Sequence, residues 1–168
     1  RARLYSARRS RAPAGRAIHS AAVEQTATDP DVFRWPVRVY FEDTDAAGLV
    51  YYANYLKFFE RCRTEWLRSF GIDQRDLASR EGIQFVVADV AIRYHRPARL
   101  DDLLTIDATI AEQARSWLVF RQQALRDAEL LASARVKVAC VDCSRLAPVR
   151  LPRRLAQRLA SEPATAHA

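Results

Sequence analysis

The spacing of apolar residues changes along the chain, and each spacing predicts a different kind of element. Over residues 33–41 the apolar side chains Val37, Val39 and Phe41 fall at every second position, which is the period of a β-strand. Over residues 52–70 apolar side chains recur at intervals of three and four, which is the period of an amphipathic helix. That stripe consists of Tyr52, Tyr55, Phe59, Cys62, Trp66 and Phe70. Gly71 follows it as a helix stop.

The second half of the chain predicts strands between two short helices. A second helix is expected over residues 74–80, and a C-terminal helix over residues 152–159. Between them lie four apolar runs, at residues 83–94, 103–111, 116–125 and 130–141. Alternation along the first run predicts one face made of Val86, Ala88, Val90 and Ile92. The polar residues 126–129 separate the last two runs and predict a hairpin turn.

These elements predict one layered domain. Long strands joined by short connections indicate an antiparallel sheet. One face of such a sheet is apolar and has to be covered, and the long amphipathic helix is the element available to cover it. The expected fold class is α+β, with a long central helix wrapped by an antiparallel sheet of five to six strands. We assign this domain to residues 31–160.

The two ends of the chain differ in composition from the domain. Residues 1–30 contain six arginines and two acids, so more than half of the net charge of +7 lies there. The segment has no apolar periodicity and no continuous hydrophobic stretch like that of a signal peptide, and we expect a basic, disordered tail. Residues 161–168 are expected to form a C-terminal tail. The domain itself is only mildly basic, which argues against a nucleic-acid-binding protein.

Cysteine usage and missing motifs exclude several classes of protein. Of the three cysteines, Cys140 and Cys143 form a C-x-x-C pair, but neither a second ligand pair nor a βαβ context accompanies it. A packing role and a reducing, cytoplasmic compartment are the simplest interpretation. No run approaches the roughly 20 apolar residues that span a bilayer. The motifs of serine hydrolases, zinc proteases and nucleotide hydrolases are absent.

The segment that could carry chemistry precedes the long helix. Two carboxylates, Asp43 and Asp45, lie ahead of Gly48 and the helix start. Free N–H groups in the first turn of a helix can polarise a carbonyl oxygen, and a nearby carboxylate can attack that carbonyl or activate water. The residues alone also fit simpler roles. Either aspartate could cap the helix, the tyrosines could belong to the core, and Glu60 could be solvated or ion-paired.

A family resemblance bears on these alternatives. Residues 33–40 (FRWPVRVY), 42–45 (EDTD) and 97–102 (PARLDD), together with Gly48 and Glu60, resemble the 4-hydroxybenzoyl-CoA thioesterase family of hotdog proteins. The resemblance covers residues 32–159 and is strongest to its YbgC-type branch, which is associated with the Tol-Pal system. It implies the hotdog fold and hydrolysis of an acyl-CoA, with a short-chain aliphatic or aromatic acyl group, to free acid and CoA.

The resemblance also implies roles for individual residues. Asp45 matches the catalytic nucleophile or general base, and the backbone N–H of Tyr52 matches the oxyanion donor. Substrate contacts fall on Gly48, Val50, Tyr51 and Tyr55, whereas Asp43 and Glu60 match supporting residues. No metal or bound cofactor is expected, because coenzyme A is part of the substrate.

The same resemblance implies assembly and partners. It predicts a homodimer or homotetramer with active sites between subunits, in the cytoplasm or peripheral to the inner membrane. Acyl carrier protein and phospholipid-synthesis enzymes are candidate partners. The main alternative is a non-catalytic hotdog scaffold that binds such a partner. A hotdog dehydratase would need a histidine beside a carboxylate, for which His95 is the only candidate in the domain.

Overall fold

The computed structural model describes residues 32–161, so the predicted tails at residues 1–30 and 161–168 lie outside it apart from Ser161. Its strands are β1 (Phe33–Arg38), β2 (Ile83–Tyr94), β3 (Leu103–Ala114), β4 (Trp117–Arg126) and β5 (Glu129–Asp142). Its helices are α1 (Asn54–Ser69), α2 (Gln74–Asp76), which continues as a π-helical stretch over Leu77–Glu81, and α3 (Arg153–Ser161). Within residues 32–161, no helix has both the length and the apolar character needed to cross a bilayer.

The five strands form one antiparallel sheet in the order β1-β3-β4-β5-β2. β4 and β5 are joined by the predicted hairpin, in which Arg126 pairs with Glu129. Asp127 in this turn has φ 53°, a left-handed conformation that aspartate adopts more readily than most residues. The strand order leaves β1 and β2 at the two edges of the sheet.

Helix α1 packs against β1, β3 and β4 and forms the core with them. Phe58, Phe59 and Cys62 on the helix are fully buried, as are Leu104 and Ile106 on β3. Burying one large apolar side chain contributes about 1.5–3 kcal/mol, so this helix–sheet layer is the main source of stability. The arrangement confirms the predicted α+β class.

Strand β2 contains a bulge that simple alternation did not predict. Its pairing with β5 shifts between Val87 and Asp89, which leaves Ala88 without a partner. Before the shift Val86 pairs with the half-buried Ala139, whereas after it Val90 and Ile92 pair with buried residues of β5. The prediction of one continuous face is therefore wrong, because an extra residue reverses the alternation from that point onward.

The ends of two predicted elements also differ. β1 ends at Arg38 because Phe41–Asp43 forms a 3-10 turn, and α1 begins at Asn54 after a turn that contains Tyr52. The predicted stop at Gly71 is confirmed, with φ 70°. Its N–H donates to the Arg68 carbonyl over 2.8 Å, and the N–H of the buried Ile72 donates to the Leu67 carbonyl over 3.1 Å. These two bonds form a Schellman motif.

Candidate active site

Residues 43–51 fold back on themselves as a short hairpin at the start of α1. The N–H of Asp45 donates to the Leu49 carbonyl over 2.9 Å, and the N–H of Tyr51 donates to the Asp43 carbonyl over 2.9 Å. The N–H of Val50 donates to the Ala98 carbonyl, also over 2.9 Å. The hairpin is thus tied to the segment that follows β2, and it fixes Asp45 relative to the helix start.

The tip of the hairpin is a tight turn that contains Asp45 and Gly48. Gly48 donates its N–H to the Asp45 carbonyl over 2.9 Å and has φ 71°. A side chain at position 48 would meet no neighbouring atom, so glycine is required by backbone conformation and not by space. Oδ1 of Asp45 accepts the Ala47 N–H over 2.8 Å. The Asp45 side chain is exposed, and its Oδ2 has no hydrogen-bond partner within residues 32–161.

Asp43 is buried and stabilises the hairpin. Its Oδ2 accepts the Tyr40 N–H over 2.9 Å, and its carbonyl accepts the side-chain amide of the buried Asn54 over 2.9 Å. Neither Asp43 nor Asp45 caps α1, because the position before the helix, Ala53, has no side-chain capping bond. The helix-capping alternative for these two acids is therefore wrong.

Two successive peptide groups at the start of α1 have free N–H groups. Among the described residues, the N–H groups of Tyr52 and Ala53 have no hydrogen-bond acceptor. The carbonyls of the same two peptides are occupied. That of Tyr51 accepts the Asn54 N–H over 2.8 Å, and that of Tyr52 accepts the Tyr94 hydroxyl over 3.0 Å. The carbonyl and N–H of a trans peptide point in opposite directions, so each occupied carbonyl fixes the direction of the free N–H beside it.

The predicted substrate contacts fall into two groups. Gly48 and Tyr51 are exposed and belong to the hairpin that holds Asp45. Val50 and Tyr55 are buried, and the Tyr55 hydroxyl accepts the Ala98 N–H over 3.0 Å. Burial also raises the pKa of Tyr55 above its usual value. In the single chain these two side chains pack in the core and do not reach the surface.

Glu60 lies at a separate cavity of about 90 Å³ between α1 and the sheet, next to the edge strand β2. Trp66 and Phe120 contribute to its apolar lining. At its polar side, Nε2 of Gln74 donates to the Thr64 hydroxyl, which donates to Glu60 Oε1, both over 2.7 Å. Asp45 does not line this cavity. A single chain therefore does not bring the predicted catalytic residue and the predicted supporting residue into this cavity.

The other candidate chemistries find no assembled site in the described residues. No group of three His, Cys, Asp or Glu side chains within residues 32–161 could hold a metal ion. Nε2 of His95 is hydrogen-bonded to the Ser133 hydroxyl over 2.9 Å, with no carboxylate partner in the described range. Cys62, Cys140 and Cys143 are free thiols.

Comparison with known proteins supplies the family. A family model for the thioesterase-like superfamily matches residues 39–159. The chain belongs to this superfamily. An acyl-CoA thioesterase YbgC from Haemophilus influenzae is 46% identical over 121 residues, covering 72% of this chain and 89% of that protein. An acyl-CoA thioester hydrolase YbgC from Escherichia coli O6:H1 is 46% identical over 123 residues, covering 73% of this chain and 91% of that protein.

A solved structure agrees with the superfamily assignment. The crystal structure of a probable thioesterase from Bartonella henselae is 40% identical to this chain and aligns with a TM-score of 0.69. The alignment covers 72% of this chain and 99% of that one. The hotdog fold expected from the sequence is thus confirmed, with α1 as the central helix and β1–β5 as the sheet around it.

Proposed function

We propose that this thioester hydrolase cleaves the thioester bond of an acyl-CoA with Asp45 at its catalytic centre. The proposal depends on one observation: the exposed Asp45 carboxylate is held by the 43–51 hairpin beside a helix start where the Tyr52 N–H has no acceptor in the described chain. A negative group and a free donor at neighbouring positions are what attack on a carbonyl requires.

Two routes use this arrangement. In the first, a carboxylate oxygen of Asp45 attacks the carbonyl carbon, the C–S bond breaks, and CoA leaves as a thiolate that takes up a proton. Water then cleaves the mixed anhydride and restores the carboxylate. In the second, Asp45 accepts a proton from a water molecule that attacks directly, and that proton passes to the leaving thiolate. In both routes the carbonyl oxygen becomes negative, and the Tyr52 N–H stabilises it. Neither route needs a metal or bound cofactor, and CoA takes part as substrate.

The separation of Asp45 from the Glu60 cavity supports a site shared by two copies of the chain. β2 is an edge strand next to that cavity, and its Val87 is 50% exposed. An exposed apolar edge is a natural surface for pairing with another strand. A homodimer or homotetramer formed there would place Asp45 of one copy against the Glu60 cavity of another, where Glu60 would support the reaction.

The oligomer is tested by changing that edge. We expect Val90→Lys, which puts a charge at an exposed apolar position of β2, to lower the molar mass measured by light scattering to that of one chain. Thioesterase activity should fall with it. The molar mass of the parent distinguishes the dimer from the tetramer. A monomeric parent with full activity would contradict the shared site.

The size of the cavity favours a small acyl group. The part of the cavity that one chain provides has a volume of about 90 Å³, well below the roughly 300–1,000 Å³ of sites that enclose drug-sized ligands. Its lining combines apolar side chains with Glu60, Arg63 and Thr64. We therefore expect short-chain aliphatic or small aromatic acyl-CoAs to be hydrolysed faster than long-chain ones in a thiol-release assay across a substrate panel.

Asp45→Asn tests the reaction directly, because it keeps the shape of the side chain and removes its charge. We expect kcat to fall at least about 10²-fold. Asp127→Asn, at the exposed β4–β5 turn, is the matched control and should keep parental activity. An Asp45→Asn protein that hydrolysed thioesters like the parent would refute the assignment. A parent inactive on every thioester would instead favour the non-catalytic scaffold.

A further inference from the structure

Tyr94 connects the edge strand β2 to the start of α1. It is the last residue of β2, and its hydroxyl donates to the Tyr52 carbonyl over 3.0 Å from 42 residues away in the chain. Its ring is held by two other aromatic rings. The ring of Tyr52 lies 6.3 Å away at 83°, and that of Tyr55 lies 5.6 Å away at 60°. These contacts fix the position of the hydroxyl as well as its partner.

We propose that Tyr94 is a positioning residue of the hydrolytic site, which fixes the peptide between residues 52 and 53 so that the Ala53 N–H is a second donor to the thioester oxygen. The inference rests on the proposed function, since it concerns the oxygen that becomes negative when Asp45 acts. It adds a second donor beside the Tyr52 N–H and names the side chain that orients it.

The local backbone explains why a side chain is needed here. In a regular α-helix the Tyr52 carbonyl would accept the N–H four residues ahead. That N–H, on Leu56, donates instead to the Ala53 carbonyl over 3.1 Å. The Tyr52 carbonyl is thereby left without a helical partner, and the Tyr94 hydroxyl occupies it. By contrast, the Tyr51 carbonyl is held by the main chain of Asn54.

The hydroxyl is suited to this role at neutral pH. Burial raises the pKa of Tyr94 above its usual value of 10.0, so the oxygen keeps its proton and remains a donor. Because the carbonyl it holds and the Ala53 N–H point in opposite directions, loss of the hydroxyl frees that peptide to rotate. Donors placed in advance are effective because they need no rearrangement during the reaction.

The test begins with Tyr94→Phe, which removes the hydroxyl and keeps the ring. We expect kcat to fall about tenfold with KM and the thermal midpoint unchanged, a smaller effect than the roughly 10²–10³-fold that follows loss of an oxyanion donor. Tyr40→Phe, which removes an exposed hydroxyl and keeps the main-chain N–H that binds Asp43, should leave kcat unchanged. In NMR spectra the Tyr52 carbonyl and Ala53 amide resonances should shift in Tyr94→Phe and stay in place in Tyr40→Phe.

A double-mutant cycle separates positioning from a general structural effect. Ala53→Pro removes the second donor, so adding Tyr94→Phe to it should lower kcat no further. The proposal would be overturned if Tyr94→Phe lowered kcat equally in the parent and in the Ala53→Pro protein. Unshifted resonances in Tyr94→Phe would also overturn it. If Asp45→Asn abolishes turnover while Tyr94→Phe leaves kcat unchanged, the proposed role of Tyr94 is refuted and the proposed function stands. If Asp45→Asn is fully active, the proposed function fails, and the NMR comparison still decides whether Tyr94 orients the peptide.

Discussion

The two ends of helix α1 are built in opposite ways. At the C-terminal end, Gly71 and Ile72 close the helix with two hydrogen bonds to its last carbonyls, and Ile72 is buried. At the N-terminal end, Ala53 receives no side-chain cap, and within the described range the N–H groups of Tyr52 and Ala53 lack acceptors. The closed end pairs its Leu67 and Arg68 carbonyls inside the fold, whereas the open end keeps these donors available.

Under the proposed function, this difference separates stability from activity along one helix. Free donors at a helix start forgo the roughly 0.5–2 kcal/mol that a side-chain cap contributes. The hairpin at residues 43–51 and the Tyr94 hydroxyl hold the open end in place without occupying those donors. We therefore expect changes at the open end to alter activity and changes at the closed end to alter stability.

Ala53→Pro should have the largest effect. Ala53 already has φ −72°, which is in the range of proline. It is also the third residue of the turn that the Asn54 N–H closes on the Tyr51 carbonyl, where proline disfavours the conformation of the preceding residue, Tyr52. The substitution deletes one free N–H, so we expect kcat to fall about 10²–10³-fold, with a lower thermal midpoint from the strain at Tyr52. Ala53→Gly keeps the N–H and is the control. A proline variant with parental kcat would show that the Ala53 N–H is not used.

Asp43→Ala should have the next largest effect and should lower both stability and activity. It removes the buried acceptor of the Tyr40 N–H, at a cost of about 1–3 kcal/mol in unfolding free energy. Because the hairpin that holds Asp45 is then less well fixed, activity should fall as well. Urea unfolding gives the stability change, and Asp43→Asn, which keeps an acceptor oxygen, should lose less. Equal losses in both variants would mean that the hydrogen bond is not the cause.

Gly71→Ala should lower stability by about 1 kcal/mol, since residue 71 has φ 70° and an alanine is strained in that conformation. kcat should be unchanged, because the proposed site takes no group from the closed end. Gly71→Asn, which tolerates left-handed backbone better, should recover part of the loss. Altered kcat in the folded Gly71→Ala protein would contradict the separation of the two ends.

Thiol labelling should give the smallest effect and reports on the middle of the helix. Burial raises the pKa of Cys62 on α1 to about 12 and that of Cys140 to about 11. At pH 8 both thiols stay protonated, so the native protein should label at Cys143 alone and the unfolded protein at all three cysteines. Cys62 should label faster in Gly71→Ala than in the parent. Rapid labelling of Cys62 in the native parent would be inconsistent with a closed core.

Most of the fold could be predicted because its elements have strong periodic patterns. The stripe of α1 and the alternation of β3, where Leu104 and Ile106 are both buried, follow directly from spacing. The bulge at Ala88 could not be predicted in this way, since one extra residue reverses the alternation without a glycine or proline to mark it. The early end of β1 was missed because Phe41 is apolar and therefore continues the strand pattern in the sequence. In the structure its side chain is 82% exposed.

The candidate site also has a part that the sequence could predict and a part that it could not. Asp45, Gly48 and the helix start are neighbours in the sequence, so local reasoning could place them together. Tyr94 was missed because it comes from another strand and acts on a main-chain carbonyl, which leaves no motif. The burial of Val50 and Tyr55 depends on the Ala98 segment, to which both are hydrogen-bonded, and that contact is not visible locally.

The position of the free donors in the main chain has a consequence for how such a site can diverge. Every amino acid except proline supplies an N–H at position 52, whatever its side chain. The Tyr52 side chain is 60% exposed, so under the proposed function an exchange at this position would keep the N–H that stabilises the reacting oxygen, although it would alter the ring contact with Tyr94. The proposed donor and the side chain of one residue are thus open to change independently.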